Sequence, residues 1–142
     1  MKRIITIQHP QSEQHVNRMI GSWGNWDLTE NGVAQAHNIG KRLFTEIGAD
    51  KYSIYSSDLL RAKHTAEIIS GYLNTEPIYD NRLREFDLGN AVGHSKEWAK
   101  RIYVAPCGQI RLIGRILRTV EYFAVRNQDK KFGAEFLVLS IQ

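Results

Sequence analysis

His9 is the side chain of this 142-residue chain whose setting most suggests chemistry. It follows the β-branched run Ile4-Ile5-Thr6-Ile7 and precedes Pro10, whose ring biases the residue before it toward an extended backbone and holds the imidazole at a loop entrance. A neutral imidazole there can attack phosphorus, although a histidine near a strand end is more often a hydrogen-bonded structural residue. Transfer of a phosphoryl group to it needs cationic donors around the phosphate oxygens and an acid for the leaving oxygen. Arg61, in Ser57-Asp58-Leu59-Leu60-Arg61-Ala62, and Glu85, in Leu83-Arg84-Glu85-Phe86, can supply one of each. Each also has a structural reading at least as good when taken alone: Arg61 as a helix-surface cation, Glu85 as the ion-pair partner of Arg84.

The elements that must hold these groups can be read from period and punctuation. Ile4 to Ile7 reads as a buried strand feeding a loop, and chemistry often sits where such a strand ends. Residues 10–28 hold no sustained period and read as an irregular surface loop. Thr29 then reads as an N-cap with Glu30 on the helix dipole, and Val33, Ala36, Gly40, Leu43, Phe44 and Ile47 keep helical spacing up to a closing Gly48. Tyr52 to Tyr55 is a second strand. Ser57 and Asp58 offer a helix start, and Leu59, Ala62, Ala66, Ile69 and Leu73 form its stripe, which points Arg61 away from that stripe in a first turn that favours an anion. Pro77 to Leu83 reads as extended, 109–125 as helical through Ile110, Ile113, Leu117, Val120 and Ala124, and Glu135 to Leu139 as a closing strand. The order strand, helix, strand, helix, helix, strand predicts one layered α/β domain over 1–142.

Four segments, in order, resemble the motif blocks of the histidine phosphatase superfamily, the phosphoglycerate mutase-like proteins. Ile4 to Glu13 resembles the strand and Arg-His-Gly block whose histidine becomes phosphorylated. Gly21-Ser22-Trp23 with Asp27 to Ala36 is similar to the family's loop and first helix. Tyr55 to Ile69 looks like the block supplying a phosphate-clamping arginine, and Leu83-Arg84-Glu85 with Gly89 like the block supplying the proton donor. The resemblance implies His9 as nucleophile, Arg61 as clamp and Glu85 as acid, in a layered α/β/α domain. The implied activity is hydrolysis of a phosphomonoester, or less readily a mutase reaction, on a small phosphorylated molecule, with no metal or organic cofactor.

Departures from the pattern set the limits of that expectation. Gln8 stands where the family has an arginine, so it can donate hydrogen bonds but brings no charge. Pro10 replaces a glycine and removes a backbone N–H. Gln8, Ser12 and Asn17 remain as candidate substrate-binding donors, the last at a shifted spacing. The five histidines are His9, His15, His37, His64 and His94, so none follows residue 94. The family's second histidine lies after a late strand, where this chain reads Phe136 to Ser140 followed by Ile141-Gln142. Residues 1–99 match the family and 100–142 diverge, which implies that the last strands and helix are missing, that a sheet edge is left uncovered, and that a homodimer could form. A phosphate-binding module without efficient turnover is the alternative function. His15, His37 and His64 read as structural, and His94 could approach the site.

Composition narrows the partners. With 42% apolar and 24% charged residues the chain is an ordinary globular mixture. Its net charge of +4 is uneven: residues 1–99 hold 11 Lys/Arg against 12 Asp/Glu, and 100–142 hold 8 against 3. That basic segment reads as a solvated helix face, with docking on an anionic lipid or acidic protein surface as a weaker alternative. No nucleic acid-binding signature appears, and no stretch has the length of a signal peptide or membrane span, so no membrane partner and a cytoplasmic location are expected. A single cysteine, Cys107, excludes an internal disulfide.

Overall fold

A computed structural model of the chain describes residues 3–47, 52–102 and 136–141. Its elements are strand β1 (Arg3–Gln8), helices α1 (Glu13–Val16) and α2 (Glu30–Ile47), strand β2 (Tyr52–Ser56), helix α3 (Leu60–Leu73) and strand β3 (Pro77–Tyr79). Then come two single 3-10 turns (Asn81–Leu83 and Gly89–Ala91), helix α4 (Lys96–Ile102) and strand β4 (Phe136–Ile141). The helix expected over 109–125 and the cap at Gly48 lie outside the described residues.

The long helices form where the apolar rows are. At the start of α2, the Thr29 hydroxyl accepts the Gly32 N–H at 3.0 Å, the cap that the sequence implied. The buried face of α2 is Gly32, Ala36, Gly40, Leu43 and Ile47, while Phe44, expected on it, is 58% exposed because it lies one position off that row. Leu59, rather than Ser57 or Asp58, is the N-cap of α3; the Ser57 hydroxyl accepts the Leu59 N–H at 3.4 Å, and Asp58 is engaged by Arg84 in a two-point ion pair. Leu43, Ile47, Ile54, Ala66, Ile69 and Leu73 form the core between α2, α3 and β2, with Ile5, Ile7, Ile39 and Tyr52 against it. Gly40 is what lets α3 approach: a Cβ there would lie 2.4 Å from a ring carbon of Tyr72.

The described sheet has the order β1-β4-β2-β3. β3 runs parallel to β2, and β4 is antiparallel to both β1 and β2, so β1, β2 and β3 all point the same way. Their C-terminal ends therefore share one edge, which delivers His9, the Ser57–Arg61 corner and the Asp80–Glu85 segment to a common place. β1, expected to be a buried strand, is buried on one side: Ile5 and Ile7 pack on the core while Ile4 is 42% exposed. The extended stretch expected over Pro77 to Leu83 ends at Tyr79, because the Asp80 side chain accepts the Arg82 N–H at 2.9 Å and turns the chain into a 3-10 coil. In β4, Phe136 lies beside Gln8 and Ile141 beside Arg3. The start of β4 therefore lies beside the C-terminal end of β1, which leads to His9, and Ser140 lies beside Ile4.

Candidate active site

Pro10 fixes the His9 ring. The imidazole Nδ1 lies 2.9 Å from the Pro10 carbonyl, which can only accept, so Nδ1 carries the hydrogen and Nε2 presents its lone pair. Burial, reinforced by the charge of Arg61 and opposed by the Pro10 hydrogen bond, lowers the His9 pKa from 6.5 to about 4. The imidazole is therefore neutral at physiological pH, the form in which nitrogen is a nucleophile.

Arg61 is not a surface cation: its side chain is fully buried. From the first turn of α3 its Nε donates to His9 Nε2 at 3.2 Å and its Nη2 to Glu85 Oε2 at 3.1 Å. Nη2 also donates to the Ser22 carbonyl at 2.8 Å and Nη1 to the Gly24 carbonyl at 3.3 Å. A buried charge needs such partners, since desolvation without them costs several kcal/mol. The same planar fork links His9 Nε2 to the Glu85 carboxyl. Glu85 is bound to Arg61 and not to Arg84, which pairs with Asp58 and lies 4.8 Å from the Trp23 ring. Burial pushes the Glu85 carboxyl above its usual range, and Arg61 opposes that rise.

The other candidate donors are placed differently. Gln8 ends β1 and is exposed beside His9 in sequence. Ser12 is buried as the N-cap of α1. Asn17 is exposed at the C-cap of α1, where its backbone N–H donates to the Glu13 carbonyl. The residue of α1 that faces His9 is His15, read from sequence as structural: its ring stacks on His9 with centroids 5.4 Å apart and 12° between planes. The Ser12 N–H donates to His15 Nδ1 at 3.1 Å, so the neutral ring carries its proton on Nε2. The signal was present in the spacing Ser12-x-x-His15, a capping box in which histidine replaces the usual glutamate. His64 Nδ1 lies 2.7 Å from Asp27 Oδ1, and His94 stacks on Trp98 at 3.9 Å. Among the described residues no group of three or more His, Cys, Asp or Glu could hold a metal ion, and no helix is long and apolar enough to cross a membrane.

The sequence profile of the histidine phosphatase superfamily (branch 1) matches residues 4–108. The chain belongs to that superfamily. It is 29% identical to a 2,3-bisphosphoglycerate-dependent phosphoglycerate mutase of Xanthobacter autotrophicus over 136 residues, an alignment covering 84% of this chain and 65% of that protein. Among solved structures, a mycobacterial glucosyl-3-phosphoglycerate phosphatase superposes with a TM-score of 0.66 at 26% identity, covering 81% of this chain and 51% of that one. A phosphoserine phosphatase from Entamoeba histolytica, solved with 3-phosphoglyceric acid, gives 0.61 at 26% identity, covering 80% and 52%. The chain thus spans about two thirds of the curated mutases it matches and about half of these solved phosphatases. Histidine phosphatase neighbours accord with the mixed helix and strand architecture expected from the sequence.

Proposed function

We propose that the protein hydrolyses a small phosphomonoester through a phosphohistidine on His9. The observation that carries this reading is the single guanidinium of Arg61 bonded to both His9 Nε2 and Glu85 Oε2. His9 Nε2 attacks phosphorus, the ester P–O bond breaks, and the Glu85 proton passes to the leaving oxygen, releasing the alcohol. Water then attacks phosphorus while Glu85 accepts its proton; the P–N bond breaks, its electron pair returns to His9 Nε2, and inorganic phosphate leaves. Arg61 turns from the nucleophile to the phosphoryl oxygens, and Gln8 adds a neutral donor. The His15 Nε2–H adds another, which supplies part of what a second catalytic histidine would contribute. Ser12 acts through α1 by holding His15, and Asn17 stands exposed at the end of the same helix. Hydrolysis is favoured over mutase transfer because a mutase must rebind and rephosphorylate an intermediate, and Gln8 leaves this site one cation poorer.

A buried neutral histidine below a carboxyl of raised pKa gives an activity optimum on the acid side of neutral. Activity falls on the alkaline side as Glu85 loses its proton, and on the acid side only as His9 gains one near pH 4. The test is phosphate release from 4-nitrophenyl phosphate, phosphoserine and 3-phosphoglycerate, with rapid-quench trapping of an acid-labile phosphoenzyme. Turnover and trapping abolished by His9→Ala are expected. The exposed, uncharged Gln8 supports the second reading, a phosphate-binding module; Arg61-dependent phosphate binding with neither turnover nor phosphoenzyme would establish it and overturn the first.

A further inference from the structure

Glu85 sits between two 3-10 turns, in a stretch without helix or strand, so secondary structure does not determine where its carboxyl lies. Besides the Arg84–Asp58 ion pair, what holds that stretch is the turn at Ser22 and Trp23. Ser22 is 2% exposed and adopts φ +40°, in the left-handed region where a residue with a Cβ is strained by roughly 1–2 kcal/mol. Such a conformation persists when the surroundings over-determine it, and here they do. The Ser22 hydroxyl donates to the Phe86 carbonyl at 2.7 Å and accepts the Leu88 N–H at 2.9 Å. Trp23 Nε1 donates to the Glu85 carbonyl at 2.7 Å. The Ser22 carbonyl accepts from Arg61 Nη2 at 2.8 Å, the same nitrogen that donates to Glu85 Oε2. The result is a closed circuit running from the Ser22 hydroxyl through Phe86 and Glu85 to Arg61 and back to the Ser22 carbonyl.

We infer that Ser22 is a positioning residue: its hydroxyl holds the Glu85 segment so that the Glu85 carboxyl stays on Arg61, in place to protonate the leaving oxygen. Ser22 acts through Glu85 and need not touch substrate, and the inference rests on the acid role proposed for Glu85. Proton delivery matters most when the leaving group is a poor one, an alkoxide, and little when it is a stabilised phenolate. Displacing the acid by about 1 Å costs on the order of 10²-fold, and that cost falls mainly on alkyl phosphates.

The test compares Ser22→Gly, which accepts φ +40° without strain and lacks the hydroxyl, with Glu85→Gln, using phosphoserine and 4-nitrophenyl phosphate. In both variants kcat/KM is expected to fall at least about tenfold more for phosphoserine than for 4-nitrophenyl phosphate. An equal fall for the two substrates in Ser22→Gly, with Glu85→Gln still selective, overturns the role of Ser22 and leaves that of Glu85 intact. Loss of selectivity in Glu85→Gln itself removes the acid reading and the inference with it. A crystal structure of Ser22→Gly decides the matter independently of turnover: the Glu85 carboxyl is expected to leave Arg61, and retention of that contact would count against the proposal.

Discussion

At the scale of single residues, the site is governed by burial acting on ionisable groups. Unfolded His9 takes up a proton near pH 6.5, whereas the native ring does so only near pH 4. Between those values the unfolded chain binds more protons, so stability is full above pH 6.5 and falls as pH drops toward 4, by on the order of 3 kcal/mol from this group. His15, whose pKa is also lowered by burial, adds to the same loss. Denaturant titrations between pH 7 and 4 are expected to show the decline, and His9→Gln is expected to reduce it without abolishing it; an unchanged slope in the variant would contradict the burial of a neutral His9. His9, Arg61 and Glu85 could be picked out from the sequence because strand end, helix start and motif spacing are local. The stack of His15 on His9 and the hydrogen bonds of Ser22 to Phe86 and Leu88 join residues whose relation only the packed chain reveals, the latter across more than sixty positions.

At the scale of elements, the loop carrying His9 is held against the first turn of α2. The Gln11 carbonyl accepts the Thr29 N–H at 3.1 Å, and a Cβ added at Gly32 would lie 1.9 Å from that oxygen. Gly32→Ala is therefore expected to force the 9–12 loop away from α2, costing about 1–3 kcal/mol. Chemical denaturation measures the loss, and the same variant is expected to lower phosphoenzyme formation because the His9 loop moves. Helix α2 was legible because its apolar rows recur at helical spacing, and Phe44 was misplaced because one residue of helix is a 100° turn. Helix α1 was missed: four residues carry little more than one turn of period, so its one signal was the spacing Ser12-x-x-His15, with histidine where a capping box usually has glutamate. The coil at Asn81–Leu83 escaped notice because a single aspartate side chain overrides the extended tendency of Pro77 to Tyr79.

At the scale of the whole molecule, the described sheet ends on β1, whose outer side has no neighbour among the described residues. Such an edge with Ile4 exposed invites pairing with a second copy. Light scattering after size exclusion at micromolar concentration is expected to find a dimer that Thr6→Pro weakens, and a monomer at all concentrations would contradict this. β1 is joined to the sheet by β4, which is more than a hundred residues later in sequence, while α2, β2, α3 and β3 contact one another locally. Closing so long a loop is slow in entropic terms, and it comes after the local contacts have formed. The helix that bears Arg61 can therefore assemble early during synthesis, but the strand that leads to His9, although Ile5 and Ile7 can reach the core, finds its neighbour in the described sheet only once Phe136–Ile141 has been made. His9 is among the first residues made, yet the strand before it is among the last to gain its partner in the sheet.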